Sequence, residues 1–114
     1  MAKTSLDREL KRGSTELLLL ALLEERQRHG YELGQLIEQR TDGAIRVQAA
    51  SLYPTLYRLE ADGFVEGRWL EQPGKRRRRF YRITRLGRKR LASQRSVWEN
   101  YYAALHRVAG LRPA

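Results

Sequence analysis

Apolar residues along this chain fall into segments of clearly different density. From Leu17 to Leu23 every position is Leu except Ala21. All faces are apolar there, which predicts a largely buried helix over 15–25, with Ser14 or Thr15 able to cap its start. The residues before it, 1–12, are polar and mixed in charge, and read as a loose arm or a weak helix. The polar connection Arg26-Gln27-Arg28-His29-Gly30 leads to a second helix, Tyr31 to Arg40, whose apolar positions are Tyr31, Leu33, Leu36 and Ile37. Thr41-Asp42-Gly43 ends it, since Gly43 suits the left-handed position after a helix. Ile45 and Val47 alternate with polar residues over a very short extended stretch.

A third helix is predicted from Ala49 to Asp62, because Leu52, Leu56 and Leu59 recur on one helical face. Pro54 asks for a place in its first turn, where a missing N–H is harmless. That favours a cap at Ala50 or Ser51, or an irregular start, and Gly63 stops the helix. Phe64 to Leu70 and Arg76 to Ile83 read as two strands of a hairpin joined at Glu71-Gln72-Pro73-Gly74. Thr84 then caps a long last helix, Arg85 to Ala109. Leu91, Trp98 and Leu105 recur at seven-residue spacing on it, as do Gln94, Tyr101 and Val108, forming a seam like that of a coiled coil.

Three short helices, a hairpin and a long helix give a mainly α fold with a small β-hairpin. This is a winged helix-turn-helix over 13–84, preceded by an N-terminal arm over 1–12. It is followed by a C-terminal dimerisation helix and tail over 85–114. The seam of Leu91, Gln94, Trp98, Tyr101, Leu105 and Val108 packs on a second copy across a two-fold axis, with Gln94 helping to fix register.

Charge sharpens this picture. The net charge is +10. Residues 1–60 hold nine basic and nine acidic side chains, whereas residues 61–114 hold fourteen basic and four acidic ones. Ten of the sixteen residues from Lys75 to Arg90 are Lys or Arg. Such a block favours a polyanion through phosphate contacts and counterion release. Lys75, Arg76, Arg77, Arg78 and Arg79 fall at the expected wing tip. A strand alternates faces, so only about two or three of them can point at nucleic acid together.

Other chemistry is largely excluded. The chain has no cysteine and two separated histidines, His29 and His106, so neither disulfides nor a metal site is expected. His29 reads as a structural residue at the entry to the second helix. No phosphate loop or paired-carboxylate motif suggests an enzyme or a cofactor. The longest apolar run is far short of the about 20 residues a membrane span needs. The opening residues lack a segment of signal-peptide form, so a cytoplasmic location is expected.

On the third helix, Gln48 and Ser51 can donate to and accept from base edges, with Pro54 on the same non-core side. Arg58 can reach a phosphate or a guanine. The Tyr53 and Tyr57 hydroxyls either bond phosphates, or the rings pack against the wing or the second helix. The partner is then double-stranded DNA read by sequence; a non-specific or architectural nucleic-acid-binding protein is the alternative.

Four segments resemble the PadR family pattern in order and spacing. They are Gly13-Ser14-Thr15-Glu16-Leu17; His29-Gly30-Tyr31-Glu32-Leu33; Ser51-Leu52-Tyr53-Pro54-Thr55-Leu56-Tyr57-Arg58-Leu59-Glu60 with Gly63; and Phe80-Tyr81-Arg82-Ile83-Thr84 with Gly87. The resemblance implies a transcriptional regulator of the short, single-domain subfamily. Such a protein is a repressor, dimeric through its last helix, that meets a pseudo-palindromic operator with Tyr53 and the start of the third helix. It also implies a small aromatic effector, for which Trp98, Tyr101 and Tyr102 offer stacking faces; filling of the dimer interface is the other reading of these rings. Two features depart from the pattern. Ala49-Ala50 stands where relatives often carry Gly, and the Lys75–Arg79 run is unusually basic.

Overall fold

The computed structural model describes residues 5–71 and 73–111, with side chains from Gly13 onward. The elements are α1 (Ser5–Glu25), β1 (Arg28–His29), α2 (Gly30–Arg40), α3 (Ala49–Ala61), β2 (Val65–Leu70), β3 (Arg78–Ile83) and α4 (Arg85–Ala109).

The leucine-rich half of α1 runs through the centre. Leu19, Leu20, Leu22 and Leu23 are buried, and Leu17, Leu18 and Ala21 pack partly against the same core. That explains the absence of a narrow stripe. The helix contributes to the core from several faces, against Leu33 and Ile37 of α2, the three leucines of α3, Val65, Tyr81 and Ile83 of the sheet, and Leu91 of α4. Burying each such side chain is worth about 1.5–3 kcal/mol as an upper estimate.

The start of α1 differs from expectation. The helix begins at Ser5, not near Thr15, and passes through Gly13 and Ser14 without a break. A mid-helix glycine costs about 1 kcal/mol relative to alanine. Gly13 faces α4 there, where a Cβ would stand 3.4 Å from Cζ2 of Trp98.

The sheet has three antiparallel strands in the order β1-β3-β2. β3 is central: Val65 faces Ile83, Gly67 faces Tyr81 and Trp69 faces Arg79 on one side, while Arg28 faces Tyr81 and His29 faces Phe80 on the other. Strand β1 is not foreshadowed by its residues. Two polar positions carry no alternating pattern, and their order comes from pairing to β3. Gly30, expected to close the polar connection, is instead the first residue of α2. Ile45 and Val47 form no strand; they turn alternately inward from an unpaired loop and pack partly on the core. The second hairpin strand starts at Arg78 rather than Arg76, leaving Lys75, Arg76 and Arg77 in the connection.

The last helix begins as expected. The Thr84 hydroxyl oxygen accepts from Gly87 N–H at 3.0 Å, and the hydroxyl donates to the Gly63 carbonyl at 2.7 Å. Gly87 cannot carry a side chain: a Cβ there would run into the Phe64 carbonyl and stand 2.8 Å from Ile83 Cγ1. Gly110, in the left-handed region at φ 67°, ends the helix.

Candidate nucleic-acid interface

The helix that a winged-helix arrangement uses for recognition corresponds to α3. Gln48 is its N-cap residue, and its carbonyl accepts from Ser51 N–H and Leu52 N–H, both at 2.9 Å. The Gln48 side chain makes no capping bond, and Gln48, Ala49, Ala50 and Ser51 are exposed. The helix therefore starts before the cap expected at Ala50 or Ser51. Pro54 falls in its second turn, inside the helix. The carbonyl it leaves without a helical donor is that of exposed Ala50, where water can bond it.

The two tyrosines divide. A Cβ at Gly30 would lie 2.6 Å from Cε1 of Tyr53, so the Tyr53 ring packs against the first residue of α2. Tyr57 is more than half exposed, with its ring 6.3 Å from that of Tyr53. Arg58 projects from a different flank of α3 and pairs with Glu16 of α1 at 3.5 Å.

Lys75, Arg76, Arg77 and Arg78 are exposed on the wing. The Arg77 guanidinium stacks 4.7 Å from the Trp69 ring centre. Arg79 is turned back: it pairs with Glu60 of α3 and is only about a quarter exposed, at 27%. Of the five basic residues expected at the wing tip, Arg79 is the one that does not share the exposed face. Strand alternation and a carboxylate on the adjoining helix draw Arg79 inward.

Tyr53, Tyr57 and Arg76 to Arg79 border one groove of about 400 Å³, together with His29, Tyr31 and Trp69. The last three were not expected in an interface. Trp69 and Tyr31 are at least half exposed, and only the fold brings them beside α3. His29 ends β1 and caps α2. Its Nδ1 lies 3.2 Å from Glu32 N–H, and its Nε2 lies 2.9 Å from Arg78 Nη1. A neutral imidazole accepts at one ring nitrogen only, so at any moment His29 serves either the helix cap or the wing arginine. Burial, then the nearby Arg78 charge, holds its pKa below the usual histidine value.

Behind His29, Arg28 is buried and held by Glu25 at 2.6 Å, Glu32 at 2.9 Å and the Leu22 carbonyl at 3.1 Å. Glu25 also pairs with Arg40, and the Arg40 and Arg28 guanidiniums bring its carboxyl down to about 2. These bonds fix the entry to α2 beneath the groove.

A second cluster joins three helices. Glu16 is buried and takes Arg58 at 3.5 Å, Arg90 at 3.3 Å and the Gln94 amide. It floors a groove of about 550 Å³ whose walls include Trp98, Val97 and Tyr101. Of the three aromatic residues expected to stack an effector, Trp98 and Tyr101 share this groove; Tyr102 is not among its lining residues.

The expected seam on α4 is corrected at its first end. Leu91 is completely buried in the protomer's own core, and Gln94 points to Glu16 of the same chain. The exposed apolar positions further along are Val97, Tyr101, Tyr102, Leu105 and Val108. Val97, absent from the heptad reading, joins Tyr101 and Leu105 at four-residue spacing.

Residues 19–93 match the model of the transcriptional regulator PadR-like family. The chain belongs to the PadR-like family. It is 37% identical over 92 residues to the transcriptional regulator Rv3488 of Mycobacterium tuberculosis, covering 81% of this chain and 82% of that one. A transcriptional regulator from Clostridium thermocellum superposes with a TM-score of 0.82 at 29% identity, over 89% of this chain and 98% of its own. A PadR family transcriptional regulator from Eggerthella lenta gives 0.77 at 29% identity, over 95% and 92%.

As a PadR-like chain it is a transcriptional regulator with the winged-helix fold and not an enzyme. The family match runs from the core of α1 through the wing to Ser93. Gln94, Trp98, Tyr101, Leu105 and Val108 lie beyond it. Among the described residues no helix is long and apolar enough to cross a membrane.

Proposed function

We propose that this PadR-family regulator binds double-stranded DNA sequence-specifically as a homodimer. It acts in the cytoplasm as a repressor at a pseudo-palindromic operator, from which a small aromatic effector releases it. The observation that carries the reading is the shared groove: α3 tyrosines and wing arginines border one surface. The exposed cations Lys75, Arg76, Arg77 and Arg78 supply sequence-blind attraction to phosphates. Gln48, Ser51 and Tyr57 supply selectivity from the exposed side of α3, with Tyr53 and Pro54 shaping its approach. Arg58, held by Glu16 on another flank of α3, reaches a phosphate from outside this groove.

The exposed apolar stretch of α4 supports dimerisation, with Trp98, Tyr101, Leu105 and Val108 facing a second copy. A two-fold dimer presents two recognition helices to half-sites about one helical turn apart, roughly 34 Å. The groove at Trp98 and Tyr101 supports an effector with a flat aromatic face. Trp98 fluorescence titrated with a panel of planar aromatics tests that part, and a flat response across the panel contradicts it.

The DNA reading is tested by fluorescence anisotropy at physiological salt. The ligands are a palindromic duplex from the protein's own promoter region, a scrambled duplex and a structured RNA. A preference of roughly 10³-fold or more for the promoter duplex is expected. Equal affinity for all three makes the protein a non-specific nucleic-acid binder instead.

A further inference from the structure

We infer that Arg79 is a positioning residue that ties the wing to the recognition helix, and that it does not itself bind a phosphate. The inference rests on the DNA-binding reading above for its consequence, and on geometry for its substance.

Two contacts converge on one carboxylate. Glu60, in the last turn of α3, receives the Arg79 guanidinium from β3 on its Oε2 atom. The same Oε2 receives the backbone N–H of Gly67 on β2, at 3.2 Å. Helix and both strands of the hairpin therefore meet at a single oxygen. The pair is largely screened from water, with the side chains 27% and 30% exposed.

Gly67 makes the arrangement possible. A Cβ at that position would stand 2.5 to 2.7 Å from Arg79 Nη2, Nε and Cζ. The guanidinium lies across the β2 backbone where a side chain would otherwise be. Its central carbon is also 5.7 Å from the ring centres of Trp69 and Tyr81, one exposed and one buried. Aromatic rings, a backbone and a carboxylate enclose the charge on several sides. Arg77 also lies over Trp69 and reaches Glu71 at 3.9 Å, yet it stays exposed, as do Arg76 and Arg78.

This cradle separates two roles that look alike in the sequence. A phosphate-binding arginine adds to the salt dependence of DNA binding, by about 0.9 per phosphate neutralised. A positioning arginine changes affinity by moving other contacts and leaves that slope nearly intact. The roles also differ in sign at Glu60. Removing a carboxylate beside a DNA-binding face strengthens attraction to a polyanion if electrostatics alone acts. Removing the anchor of the wing weakens it.

The test uses the full chain with Arg79→Ala, Glu60→Ala, Glu60→Gln, Gly67→Ala and the double variant Glu60→Ala/Arg79→Ala. Circular dichroism melts first establish that each is folded at the assay temperature. Binding to the promoter duplex and to a scrambled duplex is then measured across salt. Arg79→Ala, Glu60→Ala and Gly67→Ala should each weaken promoter binding roughly tenfold, as removing one charge-assisted hydrogen bond does. The double variant should be no worse than either single one. Glu60→Gln, which keeps an acceptor, should recover most of the affinity. The Arg79→Ala salt slope should match wild type, while Arg77→Ala lowers it.

A fall in slope of about one unit for Arg79→Ala, or tighter binding by Glu60→Ala, overturns the assignment. Variants too unstable for the binding assay are read by a double-mutant cycle in urea unfolding. Coupling between positions 60 and 79 supports the tie, and strict additivity overturns it. If wild type binds no duplex, the DNA reading fails, while this cycle still decides whether Arg79 braces the wing.

Discussion

Glu16 of α1 and Arg58 of α3 form an ion pair at 3.5 Å in which the carboxylate is buried and the guanidinium is half exposed. Arg90 and Gln94 of α4 share the same carboxylate. One acidic side chain thus joins the central helix, the recognition helix and the last helix.

Replacing that acid by alanine leaves the part-buried Gln94 amide without its acceptor, while water reaches the guanidiniums of Arg58 and Arg90. Glu16→Ala should lower stability by about 1–3 kcal/mol in urea unfolding, the range for orphaned buried polar groups. Arg58→Ala should cost under about 1 kcal/mol, because water reaches its guanidinium. Equal and negligible losses for the two variants contradict the buried cluster.

The wing arginines make a distinct prediction. Arg76→Ala and Arg77→Ala together should weaken binding to promoter and scrambled duplexes by the same factor. The slope of log affinity against log salt should become shallower by about 0.9 for each phosphate no longer neutralised. A selective loss for the promoter duplex alone would show that one of them reads a base.

The exposed end of α4 is predicted to hold the dimer together. Leu105→Glu or Tyr101→Glu places a charge among apolar side chains that the protomer does not cover. Sedimentation velocity should show a monomer, still helical by circular dichroism, whose promoter affinity is abolished. A variant that sediments as a dimer moves the interface elsewhere.

His29 gives a pH prediction whose sign follows from its environment. Burial and the Arg78 charge lower its folded-state pKa, with Glu32 opposing and Arg26 reinforcing the shift. The unfolded chain then takes up a proton first as pH falls. Stability is fully present above the unfolded value of about 6.5 and declines as pH drops from there toward the folded pKa. Protonation also removes the acceptor used by Glu32 N–H and by Arg78. Urea unfolding between pH 7.5 and 5 should show this decline, and His29→Asn, which keeps a capping side chain, should flatten it. Glu25, held at about 2 by Arg40 and Arg28, contributes stability that is lost only below about pH 4.5, outside that window. A wild-type curve that is level from pH 7.5 to 5 contradicts the account.

Much of this architecture is legible in the residue pattern. The spacing of Leu52, Leu56 and Leu59 identifies the core face of α3, and Thr84 and Ala109 bound α4 correctly. What the pattern does not reveal depends on contacts distant in sequence. Arg28 and His29 become a strand only beside β3. Gly13 reads as a helix boundary until Trp98 packs over it. Arg79 looks like its four basic neighbours until Glu60 and Gly67 receive it. Leu91 fits a heptad with Trp98 and Leu105, yet burial in its own protomer takes it out of the seam. Periodicity finds the faces of a helix, but it does not tell which partner covers each face.

The central claim is that wing and recognition helix together select particular DNA sites. Recovering the DNA bound by the protein in its host cell tests this most directly. The account predicts few strong sites sharing a pseudo-palindrome with half-sites about one turn apart. Occupancy spread over the genome with no common sequence would contradict it.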